Sequence, residues 1–176
     1  MALNLEIERK YVVRKPDLAV ISAMPDYTES EICQIYVGAP KGVTHRARSR
    51  RYGARTEYTE TVKVRIDGMS VHEMESEISE EQFSVLSRSI AAGTRPIIKT
   101  RRTFTLGGVT YELDFYPEWQ EHCIMETELS SRDQQVAIPD FISVVREVTG
   151  MKQYTNASMS RDFPAEDLIY DTSCPQ

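Results

Sequence analysis

Long apolar runs are missing from this chain. No stretch approaches the roughly 20 consecutive apolar residues of a membrane-spanning helix. The first residues carry acids and lack the apolar segment of a secretion signal. The expectation is a cytoplasmic protein with no membrane partner. Cysteine is scarce as well: Cys33, Cys123 and Cys174 are odd in number, far apart and in no C-x-x-C pair. That argues against a disulfide framework or a thiolate zinc site and fits reduced thiols. A surplus of positive charge is also absent, and the net charge of −6 argues against a general nucleic-acid binder, whose footprint is usually basic. His45, His72 and His122 are not spaced as a metal set. The loop Gly38-Ala39-Pro40-Lys41-Gly42 lacks the G-x-x-x-x-G-K-[ST] spacing of a phosphate-binding loop and reads as a hairpin turn.

Nothing in the 176 residues marks an internal repeat, a low-complexity tract or a linker. With 40% hydrophobic residues there is enough apolar material for a core. Residues 1–170 are therefore expected to form a single domain, with 171–176 as a loose tail.

Strand signals dominate what is present. "LEIERKYVV" alternates, and "RKPDLAVISAM" fits a short helix. Two strands are expected on either side of the turn at 38–42. Two more flank Asp67-Gly68, a tight hairpin signal. Ser79 with Gln82 resembles a capping box, followed by Phe83, Leu86 and Ile90 at helical spacing, with Gly93 to end the helix. Strands resume around Gly107-Gly108 and in "CIMETEL". Phe141, Val145 and Val148 share a stripe that predicts a helix ending near Gly150. Trp119 reads as the aromatic anchor of a loop.

Every second residue along these strands is charged. One face collects Glu6, Glu8 and Lys10, then Arg46 and Arg48, Lys63 and Arg65, and Glu73, Glu75 and Glu77. Lys99 and Arg101, Glu112 and Asp114, and Glu126 and Glu128 complete it. A solvated sheet face usually mixes charges with uncharged polar residues. Here, apart from Lys10, each strand carries one sign. Residues two apart lie roughly 7 Å from each other, so they repel unless partners intervene. A closed sheet would gather these faces around an axis, where burying them is costly unless they pair, stay wet or bind ions. A wet tunnel that holds a hard divalent metal on its carboxylates and a polyanion on its Lys and Arg residues meets that demand.

Glu6-x-Glu8-x-Lys10 followed in order by Arg46-x-Arg48, Lys63, Glu73-x-Glu75, Lys99-x-Arg101, Glu112-x-Asp114, Glu126-x-Glu128 and Lys152 resembles the CYTH superfamily, the triphosphate tunnel metalloenzymes. The likeness spans about residues 3 to 160 and is greatest to the bacterial short-chain inorganic triphosphatases. Val71 and Gln153 stand where the family often has basic residues. The resemblance implies a mainly β fold with flanking helices (α+β), a closed eight-stranded antiparallel barrel forming a tunnel. It implies metal-dependent hydrolysis of inorganic triphosphate to pyrophosphate and phosphate, with Mg²⁺ or Mn²⁺, two ions, as cofactor.

By the same resemblance Glu6, Glu8, Glu126 and Glu128 would hold metal. Glu73 and Glu75 would serve a second ion and the attacking water, and Lys10 and Lys152 would meet the reacting phosphate. Arg46, Arg48, Lys63, Lys99 and Arg101 would grip the substrate, and Asp114 would orient the bases behind them. Rival readings on the same fold are a class IV adenylate cyclase and a thiamine triphosphatase. A non-catalytic binder of polyphosphate or nucleotide would need the bases but not the full set of acids. The expected partner is inorganic triphosphate or another triphosphate-bearing small molecule, and a homo-oligomer is left open.

Overall fold

The computed structural model describes residues 7–65, 71–129, 131 and 134–170, and of residues 7, 65, 71–73 and 170 the backbone alone. Glu6, the Asp67-Gly68 turn and residues 171–176 lie outside the described residues. The strands are β1 (Ile7–Arg14), β2 (Thr28–Val37), β3 (Val43–Tyr52), β4 (Arg55–Arg65), β5 (Val71–Glu77), β6 (Ile97–Leu106), β7 (Val109–Phe115), β8 (His122–Leu129) and β9 (Val144–Glu147). The helices are short: α1 (Leu18–Ser22), α2 (Glu80–Leu86) and α3 (Asn156–Met159). Single 3-10 turns cover Lys152–Tyr154 and Glu166–Tyr170. Among the described residues no helix is long and apolar enough to cross a membrane.

Local signals place several of these elements. Asp17 caps α1 by accepting from the Ala19 amide. Ser79 and Gln82 make the reciprocal capping box of α2, with Glu80 and Glu81 against its positive end. Gly107 and Gly108 both adopt positive φ, 60° and 78°. That conformation lets β6 return as β7 in a two-residue turn whose twist matches the strands.

All nine strands join one sheet in the order β5-β4-β3-β2-β6-β7-β8-β1-β9, every pairing antiparallel. Two expectations need correction. The stretch predicted as a C-terminal helix contains β9, whose backbone pairs with Tyr11–Val13 of β1. The closed eight-stranded barrel is not what the pairing gives either. A strand has two edges; β8 occupies one edge of β1 and β9 the other. Among the described residues β5 pairs with β4 alone and β1 with β8 and β9, so the sheet of described residues is open. Helix α2 also stops earlier than Gly93, because Ile90 leaves the helical path to bridge Val37 of β2.

The two faces divide the work. One buries Tyr11, Val13, Phe104, Tyr111, Leu113, Cys123 and Met125, covered by Ile21 of α1 and Ile142. Helix α2 lays Phe83 and Leu86 over Ile35, Val37 and Ala47. The other face carries the charges, and at one end they give way to apolar residues of the same alternation: Val12, Ile97, Tyr116 and Ile124. Trp119, Val148, Tyr154, Met159 and Ile169 pack onto these four as a stopper. Trp119 is buried against Tyr116, Tyr154 and Phe163 in edge-on contacts and gives its indole N–H to the Pro164 carbonyl, 2.9 Å away.

Candidate functional site

Cross-strand register brings the charged residues into rows. Lys10 faces Glu126, Glu126 faces Glu112, Glu8 faces Glu128, and Arg101 faces Asp114. The result is a dense ion-pair network. Lys10 Nζ lies 2.7 Å from Glu126 Oε1 and 3.7 Å from Glu8. Asp114, fully buried, accepts from Arg101 Nε and Nη2 at 2.6 Å each and also from Lys99 Nζ. Arg101 Nη2 reaches Glu126 at 2.8 Å, and Nη1 binds Glu112. Lys10, Lys99 and Arg101 thus stand against Glu112, Asp114 and Glu126, and this half of the face neutralises itself.

Burial and pairing pull the titrations in opposite directions. Burial brings Lys99 down to about 8, against the pull of Asp114. Burial alone would raise Asp114, but Lys99 and Arg101 hold it well below the usual carboxylate range. Burial and Asp114 push Glu126 up, and Lys99, Lys10 and Arg101 outweigh them and keep it low. Burial lowers Lys10, but Glu126, Glu8 and Asp114 together outweigh it, so Lys10 is raised. Fixed charges inside a low-dielectric site act strongly on whatever enters it.

The other half is built differently. Arg48 is held by Gln34 of β2, whose Oε1 accepts from Nε at 3.2 Å and Nη2 at 3.0 Å. Gln34 is fully buried, and its Nε2 donates to the Tyr36 hydroxyl at 2.8 Å. Arg50 donates to the Ser30 hydroxyl at 3.0 Å and lies over the Tyr52 ring. Burial lowers the basicity of Arg48, and neighbouring Arg46 and Arg101 lower it further, as expected where guanidinium groups crowd together. At the far edge Glu75 accepts from the Thr61 hydroxyl at 2.7 Å, with Arg46 Nη2 at 3.6 Å. Lys63 faces Glu73 across the β4–β5 ladder. The side chain of Glu73 lies outside the described residues.

Glu8, Glu112, Glu126, Glu128, Thr110 and Thr127 line a cavity of about 120 Å³. Four carboxylates around one space are the hard oxygen donors that Mg²⁺ or Mn²⁺ takes, so the residues fit such an ion by type. They are not preassembled: among the described residues no group of three or more His, Cys, Asp and Glu is poised to hold a metal. Glu126 is committed to Lys10 and Arg101, and Glu128 is exposed. Lys152 is exposed at the start of its 3-10 turn, outside the ion-pair network; its carbonyl accepts from the Thr155 amide.

Four participants carried weak sequence signals. Glu112 alternates with Asp114 but gives no hint that it would bind Arg101. Gln34 and Tyr36 share the charged face of β2, a strand with no charge there to draw attention. Glu166 accepts hydrogen bonds from three successive amides, Gln120 (2.7 Å), Glu121 (2.7 Å) and His122 (2.8 Å), and from His122 Nδ1 at 2.8 Å. These bonds fasten the C-terminal segment over the stoppered end. The partners are more than 40 residues apart in the chain, so no local pattern announces them.

No protein-family model matches the chain, and no curated protein matches it. Solved structures do. The inorganic triphosphatase NE1496 superposes with a TM-score of 0.61 at 28% identity, covering 94% of this chain and 100% of that one. A second structure, of the hypothetical protein NE1496, gives a TM-score of 0.59 at 29% identity over 90% and 99% of the two chains. Together with Glu8-x-Lys10, Arg46-x-Arg48, Lys99-x-Arg101 and Glu126-x-Glu128, now found on one face of one sheet, these matches show that the chain has the fold of the CYTH superfamily, with a resemblance to an inorganic triphosphatase.

Proposed function

We propose that the protein hydrolyses inorganic triphosphate to pyrophosphate and phosphate on the charged face of the sheet. The observation that carries this is the split character of that face. A self-neutralised acid–base network adjoins a crowd of arginines whose charges call for a polyanion. Arg46, Arg48 and Lys63 grip the phosphate chain, with Arg offering two-pronged hydrogen bonds. Lys99 and Arg101, fixed by Asp114, bear on the charge that develops on the leaving pyrophosphate. Lys10 and Lys152 meet the phosphoryl group at the reacting end.

The reaction breaks the bond from that phosphorus to its bridging oxygen and forms one to a water oxygen. Glu75, steadied by Thr61, orients the water and takes up its proton. Mg²⁺ or Mn²⁺, held by Glu8 and Glu128 with Glu6, would screen phosphate oxygens and the leaving group; a second ion falls to Glu73 and Glu75. The face curves around the substrate as a tunnel with one stoppered end.

The test is to incubate the protein with inorganic triphosphate, ATP and thiamine triphosphate, each with Mg²⁺, Mn²⁺ or EDTA, and to follow phosphate and cyclic AMP. Fast metal-dependent phosphate release from triphosphate alone supports the proposal. Cyclic AMP from ATP moves the protein to the cyclases. Binding without metal and without turnover leaves a polyphosphate-binding module.

A further inference from the structure

The arginines on the charged face are held in two chemically opposite ways. Arg101 is bound by three carboxylates, Glu112, Asp114 and Glu126, so its charge is cancelled where it sits. Arg48 is bound by an amide. Gln34 Oε1 takes its Nε and Nη2 donors, and among the described residues no carboxylate lies within ion-pair distance of it. An amide fixes the guanidinium without cancelling it.

The chemistry also settles which way the amide points. A guanidinium has donors and no acceptor, so the Gln34 oxygen must face Arg48 and the Gln34 nitrogen must face Tyr36. The Tyr36 hydroxyl therefore accepts from Gln34, and its own proton is directed elsewhere. Among the described residues that hydroxyl has no other hydrogen-bond partner. Gln34 thus covers the Nε side of the Arg48 fork and leaves the Nη1–Nη2 end, the end that pairs bidentately with phosphate. Tyr36 and Arg48 flank the same carboxamide, and Tyr36 sits directly across the ladder from Arg46.

We infer that Gln34 is a positioning residue. It turns the Arg48 guanidinium and the Tyr36 hydroxyl proton onto one phosphoryl group while leaving the arginine's charge uncancelled. The inference rests on the triphosphatase reading and adds residues of β2 to it. Its consequence is unusual for a tether: a stronger one is worse. Glutamate at this position keeps the length and the acceptor and binds Arg48 more tightly. It also cancels the charge and reverses the pull on Tyr36.

The experiment compares wild type with Gln34→Glu, Gln34→Met and Tyr36→Phe. Inorganic tripolyphosphate binding is measured by calorimetry in EDTA, and KM and kcat are measured with Mg²⁺. Thermal melts establish that each variant is folded. Gln34→Glu is expected to melt no lower than Gln34→Met yet to bind tripolyphosphate about ten- to a hundredfold more weakly than wild type, and more weakly than Gln34→Met. The loss should appear in KM more than in kcat. Tyr36→Phe should lose about tenfold in affinity. If Gln34 serves only to brace Arg48, Gln34→Glu will bind as wild type does and surpass Gln34→Met, and the inference is overturned. If wild type neither binds tripolyphosphate in EDTA nor turns it over with Mg²⁺, the triphosphatase reading falls first and this inference falls with it; turnover without binding in EDTA overturns this inference alone.

Discussion

Replacing Asp114 by asparagine keeps its shape and removes one charge from the most enclosed point of the network. Lys99, whose side chain is 1% exposed, then loses the carboxylate that holds it. Arg101 retains Glu112 and Glu126. Removing one partner of a buried ion pair costs about 3–5 kcal/mol. The loss from Lys99 has a ceiling, because the lysine can surrender its proton. That costs about 1.4 kcal/mol for each pH unit below its ordinary value of 10.5. The ceiling is thus about 5 kcal/mol at pH 7 and about 2 kcal/mol at pH 9.

The sign follows from the depressed basicity of Lys99, about 8 when folded. Between that value and 10.5 the unfolded chain holds more protons, so rising pH relieves the burial penalty. Asp114→Asn should therefore lose about 3–5 kcal/mol at pH 7 in urea titrations followed by circular dichroism, about 6–20 °C in Tm. At pH 9 the loss should be clearly smaller. A deficit under about 1 kcal/mol at pH 7, or one unchanged at pH 9, would show that Asp114 and Lys99 do not depend on each other as described. The double variant Asp114→Leu with Lys99→Met should recover most of the stability and none of the activity.

Other expectations concern separate parts of the molecule. Glu8→Gln and Glu128→Gln should each abolish Mg²⁺-dependent phosphate release from triphosphate while leaving the melting curve nearly unmoved; full turnover in either removes both residues from the metal site. Glu166→Gln should lose on the order of 1–3 kcal/mol at neutral pH, measured by urea unfolding, because three amides lose their anionic acceptor. The His122 ring and the same amides outweigh burial and hold folded Glu166 at about 2, below its ordinary 4.5. The unfolded chain therefore binds more protons between those values, and the gap between wild type and variant should close as pH falls from 4.5 through 2. Cys123, pushed up to about 12 by burial, should resist iodoacetamide at pH 8 in the folded protein and react once urea unfolds it, as read by mass spectrometry.

What could be read from the sequence was whatever repeats every two residues or sits in a tight turn. The alternation of Glu8 with Lys10, and of Glu126 with Glu128, placed them on one face because a strand has no other choice. The capping box at Ser79 and the turn at Gly107-Gly108 are local chemistry, and both appear as expected. The strand at Val144–Glu147 was illegible for a physical reason. Its stripe of Phe141, Val145 and Val148 suits a helix, and only the vacant edge of β1, distant in sequence, makes it a strand. The same distance hid the division between Arg101 and Arg48. Both belong to charged alternations, and which one is cancelled depends on the neighbouring strand's side chains. One further signal lies in the sequence: each charged alternation next to the stopper ends in an apolar residue, Val12, Ile97, Tyr116 or Ile124.

The position of β1 bears on how the molecule is made. β1 is synthesised before both of the strands it lies between: Val12 pairs with Ile124 on one side and with Arg146 on the other. Hairpins such as β3–β4 or β6–β7 can zip as they appear, since their partners are neighbours in the chain. Glu8 and Lys10 have no place in a sheet until β8 exists. Closing so long a loop is slow and comes last. The nascent chain therefore carries an unpaired, highly charged strand until β8 is made, and its charges also keep that waiting strand from sticking to others.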